Sequence, residues 1–158
     1  MKKLFLALFM LVSVATFAQT GSKSVLIKAG YQTEAKRFGL GAEGRYSFTE
    51  NLRLAPDLTF FFPKNHVTGL DVNVNLHYVL PIQDGLSLYP LAGLNMTNNR
   101  FSYQGFSDSS TGFGLNLGFG ASYDVASNGY LNAEMKYIFN DSDHKDNAVF
   151  MLGYGIRF

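Results

Sequence analysis

The chain reads as an all-β protein, an eight-stranded antiparallel up-and-down transmembrane β-barrel. Three observations predict this. Apolar and polar residues alternate with period two along nearly the whole chain after residue 22, the pattern of strands with two unlike faces. Charged residues make up only 16% of the 158 residues while aromatics reach 15%, too little charge to wet a soluble surface, which normally carries about a quarter charged residues. Short turns also alternate with longer polar segments, as they do when a barrel crosses a membrane up and down.

The first segment is set apart. Lys2 and Lys3 precede the apolar run LFLALFMLVSVATFA, which ends in Ala18 before Gln19, Thr20 and Gly21. Fifteen residues are short of the ~20 that a spanning helix needs. Residues 1–18 therefore read as a signal peptide, with Thr16 and Ala18 as the cleavage pattern, and 19–158 as one barrel domain. Removing Lys2 and Lys3 from 13 basic residues leaves 11 against 12 acidic, a balance that argues against nucleic acid as a partner. The chain has no Cys, so disulfides, a thiolate nucleophile and thiolate-bound zinc are excluded.

Four runs carry the clearest alternation. In 37–48 the apolar set Phe38, Leu40, Ala42, Tyr46 and Phe48 interleaves with Arg37, Gly39, Gly41, Glu43, Arg45 and Ser47. In 69–80, Leu70, Val72, Val74, Leu76, Tyr78 and Leu80 interleave with Gly69, Asp71, Asn73, Asn75, His77 and Val79. In 112–123 the two sets are Phe113, Leu115, Leu117, Phe119, Ala121, Tyr123 and Gly112, Gly114, Asn116, Gly118, Gly120, Ser122. The last run sets Phe150, Leu152, Tyr154, Ile156 and Phe158 against Met151, Gly153, Gly155 and Arg157. Weaker alternation predicts strands over 23–31, 52–62, 86–96 and 130–139. Short turns are expected at Thr49-Glu50-Asn51, at Pro81 to Gly85, and at Asp124 to Gly129 with Asn128-Gly129 as the turn dipeptide. Long loops are expected at 97–111 and 140–147. About ten residues at ~3.3 Å, tilted by ~40°, climb the ~25 Å of an apolar membrane band.

Volume decides which face points inward. An eight-stranded barrel encloses little more than its own side chains fill, and the polar face carries Gly39, Gly41, Gly112, Gly114, Gly118, Gly120, Gly153 and Gly155. That face is placed inside, and the Leu, Phe and Tyr face against lipid. Tyr31, Phe38, Phe62, Phe113, Phe139 and Phe150 then form one aromatic girdle and Phe48, Tyr78, Tyr123 and Phe158 the other.

With this layout the chain resembles the small eight-stranded outer-membrane barrels of Gram-negative bacteria, of the OmpA/OmpX type. The most specific feature is the terminus FMLGYGIRF, where Phe150, Leu152, Tyr154, Ile156 and Phe158 match that family's C-terminal strand. The resemblance implies that this strand is an assembly signal read by the barrel assembly machinery. It implies a location in the cell outer membrane with both termini periplasmic, in contact with outer-membrane lipid and lipopolysaccharide. A monomer is expected.

Other motifs lack their context. Gly39-Leu40-Gly41-Ala42-Glu43-Gly44 spells a dinucleotide fingerprint, but a strand follows it where a helix is required. Asp141, Asp143, His144 and Asp146 crowd one loop without the Gly and Glu of a calcium loop, so they read as solvated charges. A Ser–His pair of Asp108-Ser109 with His66 or His144 would need a geometry that spacing does not supply, and His77 is placed on the lumen side. No catalytic residue, cofactor or metal site is assigned.

The lumen is the candidate site. Its expected charges are Lys28, Arg45, Arg53, Lys136 and Arg157 with Glu43, Asp57, Asp71 and Glu134. In simple register Lys28 lies diagonal to Glu43, and Arg45 to Asp57, which suggests pairing. The expected role is structural or surface-interacting and non-catalytic. Two alternatives stay open: a narrow porin-like channel for ions or small amphipathic solutes through the Gly-lined sector, and a lipid A-modifying enzyme. The glycines alternatively make room for Phe61, Tyr89, Tyr130 and the arginines.

Overall fold

The computed structural model describes residues 21–141 and 145–158; the expected signal peptide lies outside them, as do Asp143 and His144. The strands are β1 (Lys23–Gln32), β2 (Arg37–Ser47), β3 (Leu52–Lys64), β4 (Val67–Tyr78), β5 (Leu80–Gln83), β6 (Leu86–Tyr103), β7 (Phe106–Asp124), β8 (Gly129–Asn140) and β9 (Asn147–Arg157). Every neighbour is antiparallel, and β1 pairs with β9 while β4 and β5 both pair with β6, so the sheet closes on itself. His77 opposes Leu91 and Leu80 opposes Leu88, one continuous register. β4 and β5 are thus successive parts of one stave, and the barrel has eight. Closure leaves no open edge along the staves, which a strand crossing lipid requires.

Four connections differ from the sequence reading. The expected turn from Pro81 to Gly85 narrows to Asp84-Gly85, because Leu80–Gln83 continue the stave against β6. The segment 97–111 is not a loop: β6 and β7 continue through it as a ladder from Thr97↔Gly112 to Tyr103↔Phe106. Gln104 (φ 47°) and Gly105 (φ 88°) close it as a two-residue turn, with both φ positive as a type I′ hairpin demands. Alternation fails there because Arg100 to Thr111 are exposed on both faces, and a ribbon wetted on both sides needs no apolar stripe. β3 and β4 likewise run to Lys64 and from Val67, joined by Asn65 (φ 52°) and His66 (φ 64°). Gly129 belongs to β8 and lacks a positive φ, so the turn there is Val125–Asn128, with Val125 N–H donating to Gly129 O at 3.0 Å.

The faces are inverted relative to a water-soluble protein. Lys28, Glu43, Asp57, Asn75 and His77 are buried, whereas Ile27, Leu94, Leu115, Phe119 and Leu152 are exposed around the outside. The apolar girth has nothing to cover it but lipid. The exterior aromatics pack in T-shaped pairs near both rims, Tyr31 with Phe38 at 5.1 Å at one and Tyr46 with Phe48 at 5.0 Å at the other.

Candidate functional site: the packed lumen

Alternation turns one residue in two of every stave inward, and the lumen is narrow enough for these side chains to meet across it. Lys28 on β1 lies at the centre. Its Nζ donates to Glu43 Oε2 at 2.6 Å on the neighbouring stave and to Glu134 Oε1 at 3.5 Å, and lies 3.2 Å from Asp57 Oδ2. Lys136 Nζ donates to the same Asp57 oxygen at 3.0 Å. Arg45 donates from Nε to Glu43 Oε1 at 2.5 Å and from Nη1 to Ser122 at 3.2 Å. Its Nη2 reaches Tyr89 Oη at 3.1 Å and Asn132 Oδ1 at 2.9 Å.

The structure therefore places Lys28 against Glu43, but Arg45 does not pair with Asp57. Those two are diagonal in register, as expected, yet Arg45 reaches the far wall on β7 and β8 while Asp57 takes the two lysines. Where opposite walls are a side chain apart, the best partner is across the barrel rather than on the next strand. The other expected lumen charges are peripheral to this network. Asp71 Oδ1 accepts from Thr97 Oγ1 at 2.9 Å, Arg53 Nη2 lies 3.0 Å from His77 Nδ1, and Arg157 pairs with Asp124 at 2.6 Å at the half-exposed rim near the termini.

Neutral amides fill the space between charges, and sequence reasoning had not assigned them. Asn73 and Asn75 donate to the two oxygens of Asp57, Asn95 and Asn116 donate to Asn73, and Asn116 also donates to Asn75. Part of the signal was present in the polar set of 69–80, where Asn73 and Asn75 follow Asp71 on one face. Arg37 and Gln32 were also unassigned. The guanidinium donates twice to Gln32 Oε1 and once to Asn99 Oδ1, over the ring of Phe61.

Rings occupy the remaining volume. His77 stacks on Tyr89 with centroids 4.5 Å apart, and Arg45 lies over both Tyr89 and Tyr130 at 5.3 and 5.4 Å. The glycines are the counterpart of these rings. A Cβ on Gly155 would fall 2.2 Å from Tyr130 Cζ, on Gly120 2.3 Å from Tyr89 Cζ, and on Gly39 2.7 Å from Phe61 Cδ1. The Gly-lined sector thus holds side chains from other staves.

Glu43, His77 and Glu134 bring three possible ligand atoms within 4.8 Å of one another. All four carboxylate oxygens are already occupied as acceptors: Glu43 by Arg45 and Lys28, and Glu134 by Lys28 and Tyr89. A divalent ion would have to displace two buried cations, so the arrangement is an ion-pair network rather than a metal centre. Among the described residues, the Ser–His alternative shows no hydrogen-bonded pair. His66 packs edge-on against Tyr103 at 4.8 Å, while Asp108 caps the backbone N–H of Ser109 at 2.9 Å; His144 lies outside the described residues.

Comparison with known proteins agrees with the geometry. Residues 4–158 match the family described as outer membrane protein beta-barrel domain. No curated protein matches the chain. Among solved structures, the N-terminal β-barrel domain of Pseudomonas aeruginosa OprF superimposes with a TM-score of 0.75 at 20% identity, over 88% of this chain and 100% of that one. Neisserial surface protein A gives 0.66 at 19% identity over 87% of this chain and 96% of its own. Ail of Yersinia pestis, solved with the heparin analogue sucrose octasulfate, gives 0.63 at 22% identity over 89% and 100%. At these identities the likeness is one of fold. On the family match and the closed eight-stave barrel, this chain belongs to the outer membrane protein beta-barrel domain family.

Proposed function

We propose that this protein is a plugged outer-membrane barrel with a structural or surface-interaction role, without catalytic activity and without a conducting pore. One observation carries the reading: the lumen is crossed by hydrogen-bonded charges and rings, with Lys28, Arg45 and Lys136 each bonded to carboxylates on other residues of the wall and the glycines filled by Tyr89, Tyr130 and Phe61. Interior charges in so small a barrel are tolerated only when paired, and paired charges that span the bore exclude a water column. In this reading residues 1–18 direct export, both termini face the periplasm, the strand ending at Phe158 is recognised by the assembly machinery, and the monomeric barrel contacts lipopolysaccharide with its outer face.

The test is conductance of the refolded protein in a planar bilayer beside a no-protein control. The parent is expected to be silent, and an Arg45→Ala/Tyr89→Ala variant, which removes two crossing side chains, is expected to pass current. Discrete, reproducible steps from the parent would overturn the plug and favour the channel alternative. Lipid A mass spectra with and without the protein are expected to be identical; a difference of one acyl chain would overturn the non-catalytic part.

A further inference from the structure

The rim opposite the termini holds a feature that the plug does not use. The β1–β2 turn, the β3–β4 turn and the upper parts of β6 and β7 border an open cleft of about 610 Å³, lined in part by Glu34, Lys36, Arg37, Lys64, Asn99 and Ser110. This is within the ~300–1,000 Å³ usual for small-molecule sites. Its charge is uneven. Among the described residues, no carboxylate lies within 4 Å of Lys36, Arg37 or Lys64. The acid on the cleft wall, Glu34, is taken from outside by Lys145 at 2.9 Å, a contact that holds the Lys145 ammonium above its ordinary pKa.

Two of the cations have defined partners. Lys64 Nζ donates to the backbone oxygen of Lys36 at 2.9 Å, which ties the β3–β4 turn to the β1–β2 turn at the cleft and uses one of its three N–H groups. Arg37 is buried over the ring of Phe61 and donates to the neutral oxygens of Gln32 and Asn99, with Nη1 making no hydrogen bond among the described residues. Counting Lys145, four cations face two acids, Glu34 and the deeper Asp71, whose Oδ1 is taken by Thr97. Asp71 is the buried acid that acts on this guanidinium, so Lys36 and Lys64 above it keep an excess of positive charge at the opening, which an anion would relieve.

We infer that this cleft binds a phosphate or sulfate monoester carried on a small sugar. Three terminal oxygens of such an ester can accept from the Lys36 and Lys64 ammonium groups together, and the amide of Asn99 on the cleft wall suits a hydroxyl beyond the anion. The inference deepens the surface-interaction role proposed above, but its failure would leave the conductance result untouched, so the two are separable.

The experiment uses the barrel in phosphatidylcholine nanodiscs at low salt, titrated with glucose 6-phosphate, glucose 6-sulfate and plain glucose, and followed by amide NMR shifts. Saturable shifts at residues 33–37, 64–67 and 99 with either ester and none with glucose are expected, weakening as salt is added. Lys36→Ala/Lys64→Ala should lower affinity at least about tenfold, and Lys23→Ala, at the other rim, should not. No saturable shift, an equal response to glucose, or unchanged affinity in the double variant would overturn the site. A second preparation containing bis-phosphorylated lipid A separates the sources: loss of glucose 6-phosphate binding there assigns the ester to a membrane headgroup, and retained binding assigns it to a soluble sugar.

Discussion

Asp57→Ala tests the network where its geometry is least redundant. The carboxylate is buried and accepts at Oδ2 from Lys136 at 3.0 Å and Asn75 at 3.2 Å, and at Oδ1 from Asn73 at 2.9 Å and Thr59 at 3.2 Å; Lys28 adds an ion pair at 3.2 Å. Lys28 keeps Glu43 and Glu134 when Asp57 is removed, whereas Lys136 pairs with no other carboxylate among the described residues. One ammonium is then stranded with its side chain 2% exposed, and a stranded buried charge costs about 3–5 kcal/mol. Asp57→Asn keeps the shape and one acceptor, and is expected to cost roughly half as much, since a neutral oxygen still takes one hydrogen bond. The discriminating variant is Asp57→Asn/Lys136→Met. With both charges gone it should recover about 2 kcal/mol relative to the sum of the single changes, within the range of coupling between contacting residues. The assay is urea unfolding in lipid vesicles, read by gel mobility of the folded barrel and by tyrosine fluorescence, because the chain has no Trp. With a urea dependence of about 2 kcal/mol/M, the loss in Asp57→Ala moves the midpoint by about 2 M. A midpoint shift equivalent to less than about 1 kcal/mol, or no recovery in the double variant, would refute the reading that Lys136 is stranded in the lumen without Asp57.

Two further outcomes follow from the same structure. Gly155→Ala places a Cβ 2.2 Å from Tyr130 Cζ, while the outward Gly44 meets only Pro56 Cγ at 4.0 Å; overpacking predicts a loss of about 1–3 kcal/mol for the first and little for the second, and equal urea midpoints for the two variants would contradict the filled lumen. Phe158→Ala should reduce the folded amount in the outer membrane, measured by quantitative blotting of membrane fractions, and normal levels would count against the terminal strand as an assembly signal.

Period-two alternation, scarce charge and the grouping of small residues on one face determined the barrel, its inside and its outside, because in lipid every backbone group must be paired and only a closed sheet does that with strands. Even the tenants of the glycine sector were legible, since a volume argument needs only side-chain sizes. Partner choice inside the bore was not. Arg45 could be placed diagonal to Asp57 from register alone, but its bonds to Ser122 and Asn132 depend on how near the opposite wall stands, a distance set by closing the barrel. The β6–β7 ribbon was missed for the complementary reason: above the membrane both of its faces meet water, and the alternation that betrays a strand elsewhere vanishes. The cationic cleft drew Glu34, Lys36, Lys64 and Asn99 from separate staves and turns, so nothing in their spacing announced it, and only the closure that sets those turns side by side made it a site.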